Sequence, residues 1–244
     1  MTTPIKIISK QEFLKKNKNE KPNQEDVWDS ISDLWNEYRK EPYEIIKDFL
    51  EDKKGKIIDL GCGSGRNMIP SPDIEYYGVD ISSCQLGCAM VHAEEKGINA
   101  KFFKNKADKL SKKDFKKEMF DFGLFIATLH CLENKNAREN ALKELYRVLK
   151  KGAEALITVW NSEDERFKNV NYHGDIYMSW KKDGEEYFRY YYLYDKDEFL
   201  DLLKSVGFEI LEVKTNLDIK DSTRITDSIK DRFSKKNWIV KVKK

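Results

Sequence analysis

Residues 56–67 read Lys-Ile-Ile-Asp-Leu-Gly-Cys-Gly-Ser-Gly-Arg-Asn, and no other stretch constrains the chain as much. Ile57, Ile58 and Leu60 form a short apolar run of the kind that makes a buried strand. Asp59 lies near its end, and Gly61, Gly63 and Gly65 follow at alternate positions. Glycines so spaced let the backbone adopt positive φ and approach a ligand closely. The spacing is GxGxG. A dinucleotide fingerprint would need its third glycine where Arg66 stands. A second apolar run, Tyr76-Tyr77-Gly78-Val79, ends in Asp80. A carboxylate at that strand tip can accept hydrogen bonds from the two hydroxyls of a ribose.

Hydrophobic periodicity extends this start into a chain-long pattern. Val27, Ile31, Leu34, Trp35 and Tyr38 share one helical face from Gln24 to near Arg39. Pro42 opens a second helix with Tyr43, Ile46, Phe49 and Leu50 inward, and Gly55 closes it. Ser82 or Ser83 caps a helix that stops at Gly97. Strands follow at 98–103, 120–126 and 155–160, with a helix between the last two capped by Asn134 and ended by Gly152. Residues 161–185 are polar and too long for a simple connection, which predicts a functional loop or lid. The aromatic stretch 187–194 is extended. Asp195 caps a helix that stops at Gly207, and strands at 208–214 and 238–242 complete the pattern. The predicted fold is α/β, a doubly wound, mostly parallel seven-stranded sheet with one antiparallel strand. Residues 1–23 form a basic, loosely ordered segment, with Ile5, Ile7 and Ile8 available to dock. Residues 24–244 form the domain, with an insertion around 161–194.

Composition narrows the function classes. No run of 18 apolar residues exists, which predicts no transmembrane helix, and the first residues carry no apolar signal core. A cytoplasmic protein is the expectation. Charged residues make up 36%, and the net charge of +2 is unevenly spread. Residues 228–244 carry seven Lys or Arg against one Asp, and residues 1–21 carry six Lys against two Glu. Basic ends on an acidic body suit contact with a polyanion, or are simply solvated. Cys62, Cys84, Cys88 and Cys131 form no CxxC pair, so no metal site is expected and all four read as reduced thiols.

The loop from Asp59 to Gly65, with Asp80, resembles the nucleoside-binding half of class I S-adenosylmethionine-dependent methyltransferases. That resemblance implies S-adenosylmethionine as cofactor and S-adenosylhomocysteine as product. Its cofactor contacts are expected at Asp59, Gly61, Cys62, Gly63, Gly65, Asp80, Ile81, Ala107, Asp108 and Ile126, with Asp108 approaching the adenine amino group. Further motifs resemble the branch that esterifies carboxymethyluridine at the tRNA wobble position. These are the W-x-x-x-R-x-x-P pattern from Trp35 to Pro42, residues 126–132, Val159-Trp160, Arg189-Tyr190-Tyr191 and Asn237-Trp238-Ile239-Val240. The chain departs from that branch at Cys131, Tyr192 and Glu44.

A carboxylate acceptor agrees with the residues themselves. It is already an anion at pH 7, so its methylation needs positioning and no general base. Arg39 and Arg189 could hold it with guanidinium forks, and His130 could donate one more hydrogen bond. Tyr190 and Trp160 could stack the base. Two other readings remain open at this level: a small-molecule carboxyl or O-methyltransferase, and a cofactor-binding scaffold that does not methylate. The resemblance further implies tRNA as partner. It also implies a small zinc-binding activator protein that pairs with the strand at residues 100–103.

Overall fold

The computed structural model describes residues 5–37, 41–167, 174–215 and 237–244. Its main sheet has seven strands: β2 (Gly55–Leu60), β3 (Ile74–Asp80), β4 (Ala100–Lys104), β5 (Phe120–Ile126), β6 (Leu149–Trp160), β9 (Glu209–Thr215) and β10 (Asn237–Lys243). Their order is β4-β3-β2-β5-β6-β10-β9. β10 runs antiparallel to both of its neighbours, and the other pairings are parallel. This is the doubly wound arrangement with one reversed strand that the periodicity predicts. Ile57, Ile58 and Leu60 are fully buried, because helices cover both faces of the sheet.

Those helices are α3 (Glu44–Leu50), α4 (Ser83–Lys96), α5 (Lys135–Val148) and α6 (Lys196–Val206). Their starts follow the sequence signals. Ser82, Asn134 and Asp195 each accept a hydrogen bond from a backbone N–H three residues on. One stop does not follow. α5 ends at Val148, ahead of Gly152, because Leu149 turns to extended backbone and pairs with Phe120 in the sheet. Gly152, at φ +78°, instead lies inside β6, where the pairing with β5 skips from Leu149 to Glu154.

A second, three-stranded antiparallel sheet stands over the carboxyl ends of the first. It joins β1 (Ile7–Ser9), β7 (Gly174–Lys182) and β8 (Glu185–Leu193) in the order β1-β7-β8. Much of the stretch read as a polar lid is therefore strand. Asp183-Gly184 forms the two-residue hairpin turn, with φ +51° and +86°, as a type I′ turn requires. The N-terminal segment is ordered rather than loose from Ile7 to Lys16. β1 adds to β7, and the short helix α1 (Lys10–Lys16), capped by Ser9, follows it. Its Phe13 is 4% exposed and stacks on Tyr177 at 4.1 Å between ring centroids.

Helix α2 (Gln24–Glu37) joins the two sheets. At one end Gln24 accepts from the Tyr190 N–H at 2.9 Å and donates to the Phe188 carbonyl. In the middle Asp29 accepts from the Ser82 hydroxyl and the Cys84 N–H, which fastens α2 to the start of α4. Lys182 of β7 donates to Asp33 and to the Ser30 carbonyl. Arg39, expected just beyond this helix, lies outside the described residues. Among the described residues no helix is long and apolar enough to cross a membrane.

Replacing Phe13 by Ala tests whether the N-terminal segment is integral to the fold. The expected loss is about 3–5 kcal/mol, the usual cost of deleting a buried aromatic ring. Urea unfolding measures it, and a segment that merely adheres would show less than about 0.5 kcal/mol.

Candidate functional site

The loop after β2 is held from below. The N–H groups of Gly61 and Cys62 both donate to the Val79 carbonyl, at 2.7 and 3.0 Å. Gly61 has φ +71°, and a Cβ added there would sit 2.2 Å from the Thr128 side chain. No other residue fits, because the loop presses against the chain leaving β5. Asp80, at the tip of β3, accepts from the Gly63 N–H and the Ser82 N–H, each at 2.9 Å. One carboxylate thus joins the glycine loop to the start of α4. Burial raises its pKa, and these backbone donors oppose the rise.

Around this loop opens a cavity. Of the residues expected to bind a cofactor, Gly61, Cys62, Gly63, Asp80, Ile81, Ala107 and Ile126 line it. Gly65 and Asp59 do not. Gly65 packs against Ala89 of α4, and Asp59 is fully buried. Asp108 does not line the cavity either, but Asn105, three residues earlier, does. The polar group nearest a nucleoside base after β4 is therefore an amide and not the expected acid. The sequence reading also missed Asn67, Gln85 and Trp28. Trp28 precedes Trp35 by seven residues, so the two share a stripe of α2, and their rings meet edge to face at 5.0 Å. Both face the cavity and close it from the side of α2.

Four buried oxygens at this site have no hydrogen-bond donor. They are both carboxylate oxygens of Asp59, the Asn67 Oδ1 and the Gln85 Oε1. Orphaned acceptors cost about 1–3 kcal/mol each. Grouped beneath a glycine loop, they suit a ligand that brings N–H donors, above all an ammonium. Burial, then the charge of Asp80, pushes the Asp59 carboxyl up to about 7, against the pull of Arg66. A nucleoside carrying a cationic amino-acid tail fits this donor and acceptor set. Among the described residues no group of three His, Cys, Asp or Glu side chains could hold a metal ion.

The expected acceptor residues are placed differently. His130 is 1% exposed, in the turn after β5, and stacks on Trp160 at 5.0 Å. Its Nδ1 accepts from the Trp160 N–H at 3.3 Å, which leaves the proton on Nε2, and Nε2 has no partner. Burial, then the charge of Arg166, pulls its pKa down to about 3, so the ring is a neutral donor. Its chain neighbours Thr128, Cys131 and Leu132 line the cavity, and His130 stands just behind that wall. Trp160 is 7% exposed and packs on Tyr191 at 4.0 Å, so it offers no free face to a base. Tyr190 is fully buried, donates to Asp175 and accepts from Arg138. Stacking of an incoming base falls instead to Trp28 and Trp35, which face the cavity. Arg189 is 2% exposed, with its guanidinium 5.0 Å from the rings of Trp35 and Trp180. It supports Trp35 rather than reaching a carboxylate itself.

Comparison with known proteins gives these observations a family. Residues 57–152 match the family model described as a methyltransferase domain. The chain is 30% identical over 159 residues to the tRNA (carboxymethyluridine(34)-5-O)-methyltransferase of Saccharomyces cerevisiae, covering 63% of this chain and 54% of that protein. It is 28% identical over 218 residues to the protein of the same name from Schizosaccharomyces pombe, covering 76% of this chain and 88% of that one. The chain thus spans about half the length of the first relative and most of the second. Among solved structures, a SAM-dependent methyltransferase of Methanosarcina mazei superposes with a TM-score of 0.64 at 23% identity, covering 84% of this chain and 98% of that one. At that identity the likeness establishes the fold.

Asp59 yields a pH prediction. Below about pH 7 its carboxyl is partly protonated in the free protein. An ammonium placed against it favours the charged form, so binding releases a proton. Affinity for S-adenosylhomocysteine should climb as pH rises to about 7 and level off above it. Calorimetry in two buffers of different ionisation enthalpy counts the proton, and Asp59→Asn should abolish both effects.

Proposed function

We propose that this chain, a class I S-adenosylmethionine-dependent methyltransferase by its fold and by the family model that residues 57–152 match, methylates tRNA. The acceptor in this reading is the carboxylate of carboxymethyluridine at the wobble position. The match that runs through 88% of the Schizosaccharomyces pombe relative carries this proposal. The site's chemistry supports it.

S-adenosylmethionine supplies a methyl group on a sulfonium, which a carboxylate oxygen can take by in-line displacement. The chain's own residues bind and orient. Asp59, Asn67 and Gln85 offer acceptors to the ammonium, and Asp80 offers acceptors to the ribose hydroxyls. Asn105 lies where the base would be read. Trp28 and Trp35 shield the cavity from α2 and offer rings for a splayed base, a contact worth about 1–3 kcal/mol. No group at the site needs to accept a proton, in keeping with a His130 that is neutral and already hydrogen-bonded through Nδ1.

The proposal extends to partners. β4 is an edge of the main sheet and so presents unpaired backbone groups to a strand from another protein. A small zinc-binding activator docking there is the partner in this reading. Lys101 and Lys104 on that edge are already matched by Glu75 and Glu25. The basic C-terminal run contributes less to RNA contact than its charge suggests. Lys244, its last residue, donates to the Leu149 carbonyl and keeps only 7% of its side chain exposed.

Nucleoside mass spectrometry on tRNA rich in carboxymethyluridine tests the reaction. The protein with its activator and S-adenosylmethionine should convert the wobble acid to its methyl ester. Unmodified tRNA, together with turnover of free carboxylic acids, would transfer the activity to small molecules. Trp28→Ala should lower tRNA turnover about tenfold or more through KM, on the scale of one lost base stack.

A further inference from the structure

Behind the cavity wall formed by Trp28 and Cys131 lies a buried cluster of Trp160, Phe167 and Tyr191, against which both wall residues pack. Arg166 belongs to this cluster. It sits in the short 3-10 turn after β6, with its guanidinium 4.7 Å from the Trp160 ring and 5.0 Å from Phe167. Its backbone N–H and its Nη2 both donate to Asp164, at 2.8 and 3.0 Å, so its position is fixed by a carboxylate that is itself 1% exposed. Two of its other nitrogens, Nε and Nη1, are buried without any acceptor. His130, stacked on the same Trp160 ring, presents a third orphan donor at Nε2.

Three buried N–H donors without acceptors, drawn from two side chains on one indole, amount to a costly and specific arrangement. Asp164 matches only one of the donor nitrogens on the Arg166 side chain. The remaining donors face no oxygen among the described residues. What satisfies such a set is an anionic oxygen group from outside the chain.

We propose that Arg166, together with His130, receives the acceptor's carboxylate. This rests on the wobble-uridine reading above and names the residue that would distinguish an acid from its neutral analogue. Arg166 supplies the charge, and His130 supplies an uncharged donor whose protonation does not change through the physiological range. Burial strengthens both, because water does not compete for their hydrogens. The methyl ester product is neutral and loses the charge-assisted bond to Arg166, which favours its release.

The test uses the full chain with its activator, and two tRNAs that differ only at the wobble base. One carries the carboxymethyl acid and the other its uncharged amide. Wild-type protein should bind the acid at least about tenfold more tightly than the amide, as one charge-assisted hydrogen bond allows. Arg166→Gln should lose that preference and raise KM for the acid tRNA by about ten- to a hundredfold. Arg166→Lys, which restores the charge, should recover part of it. Because Arg166→Gln strands Asp164, the double variant Asp164→Asn/Arg166→Gln should show the same loss. Unchanged affinity for S-adenosylhomocysteine in all three variants shows that each is folded. Retained preference in Arg166→Gln, or equal weakening of acid and amide binding, overturns the assignment. If wild-type protein with its activator leaves both tRNAs unmethylated, the wobble-uridine reading fails, and this assignment fails with it.

Discussion

The Asp80 carboxylate is the joint on which the site depends. By accepting from Gly63 and Ser82 it fixes the glycine loop against the first turn of α4. Asp29 then fastens α2 to that same turn through Ser82 and Cys84. The cavity wall therefore descends from one strand tip: loop, helix start and covering helix are tied in sequence. A change that moved β3 by a fraction of an ångström would move all three. Such interlocking of backbone donors with one acid is how a soft loop becomes a preorganised binding surface.

The cavity is asymmetric in its chemistry. Near the glycine loop it is rich in acceptors without donors, from Asp59, Asn67 and Gln85. Behind the opposite wall it is rich in donors without acceptors, from His130 and Arg166. A cation belongs at one end and an anion at the other. Transfer of a methyl group from a sulfonium to a carboxylate calls for that polarity, since opposite charges meet and cancel as the bond forms.

The fold was legible because its signals are local. Apolar runs, caps at Ser82, Asn134 and Asp195, and the Asp59-to-Asp80 spacing each act within a few residues. The second sheet was legible in principle through Asp183-Gly184, the strongest short hairpin signal, but the polar residues flanking it hid the strands. β1 was not legible, because a three-residue strand at an edge carries no period of its own. At the site, the glycines and Asp80 could be read because backbone geometry demands those residue types. The acceptor side could not. Tyr190, Trp160 and Arg189 carry the right chemistry in sequence, yet the β7–β8 hairpin folds them into its own packing. Whether an aromatic ring faces a cavity or a neighbour is decided by tertiary contacts that no single stretch encodes.

The placement of β10 sets an order of events in folding. β6 and β9 are not adjacent in the sheet, and β10 fills the gap between them, antiparallel to each. Its residues pair with β6 partners far back in the chain, such as Val240 with Ile157, so these contacts close the largest loops in the domain. Parallel pairs from β2 to β6 have shorter crossings and can form first. Until β10 arrives, the edge of β6 is open and β9 has no strand to pair with. That interval is when the chain is most exposed to edge-to-edge association with its own copies, and its length is governed by how fast one short strand finds a slot between two others.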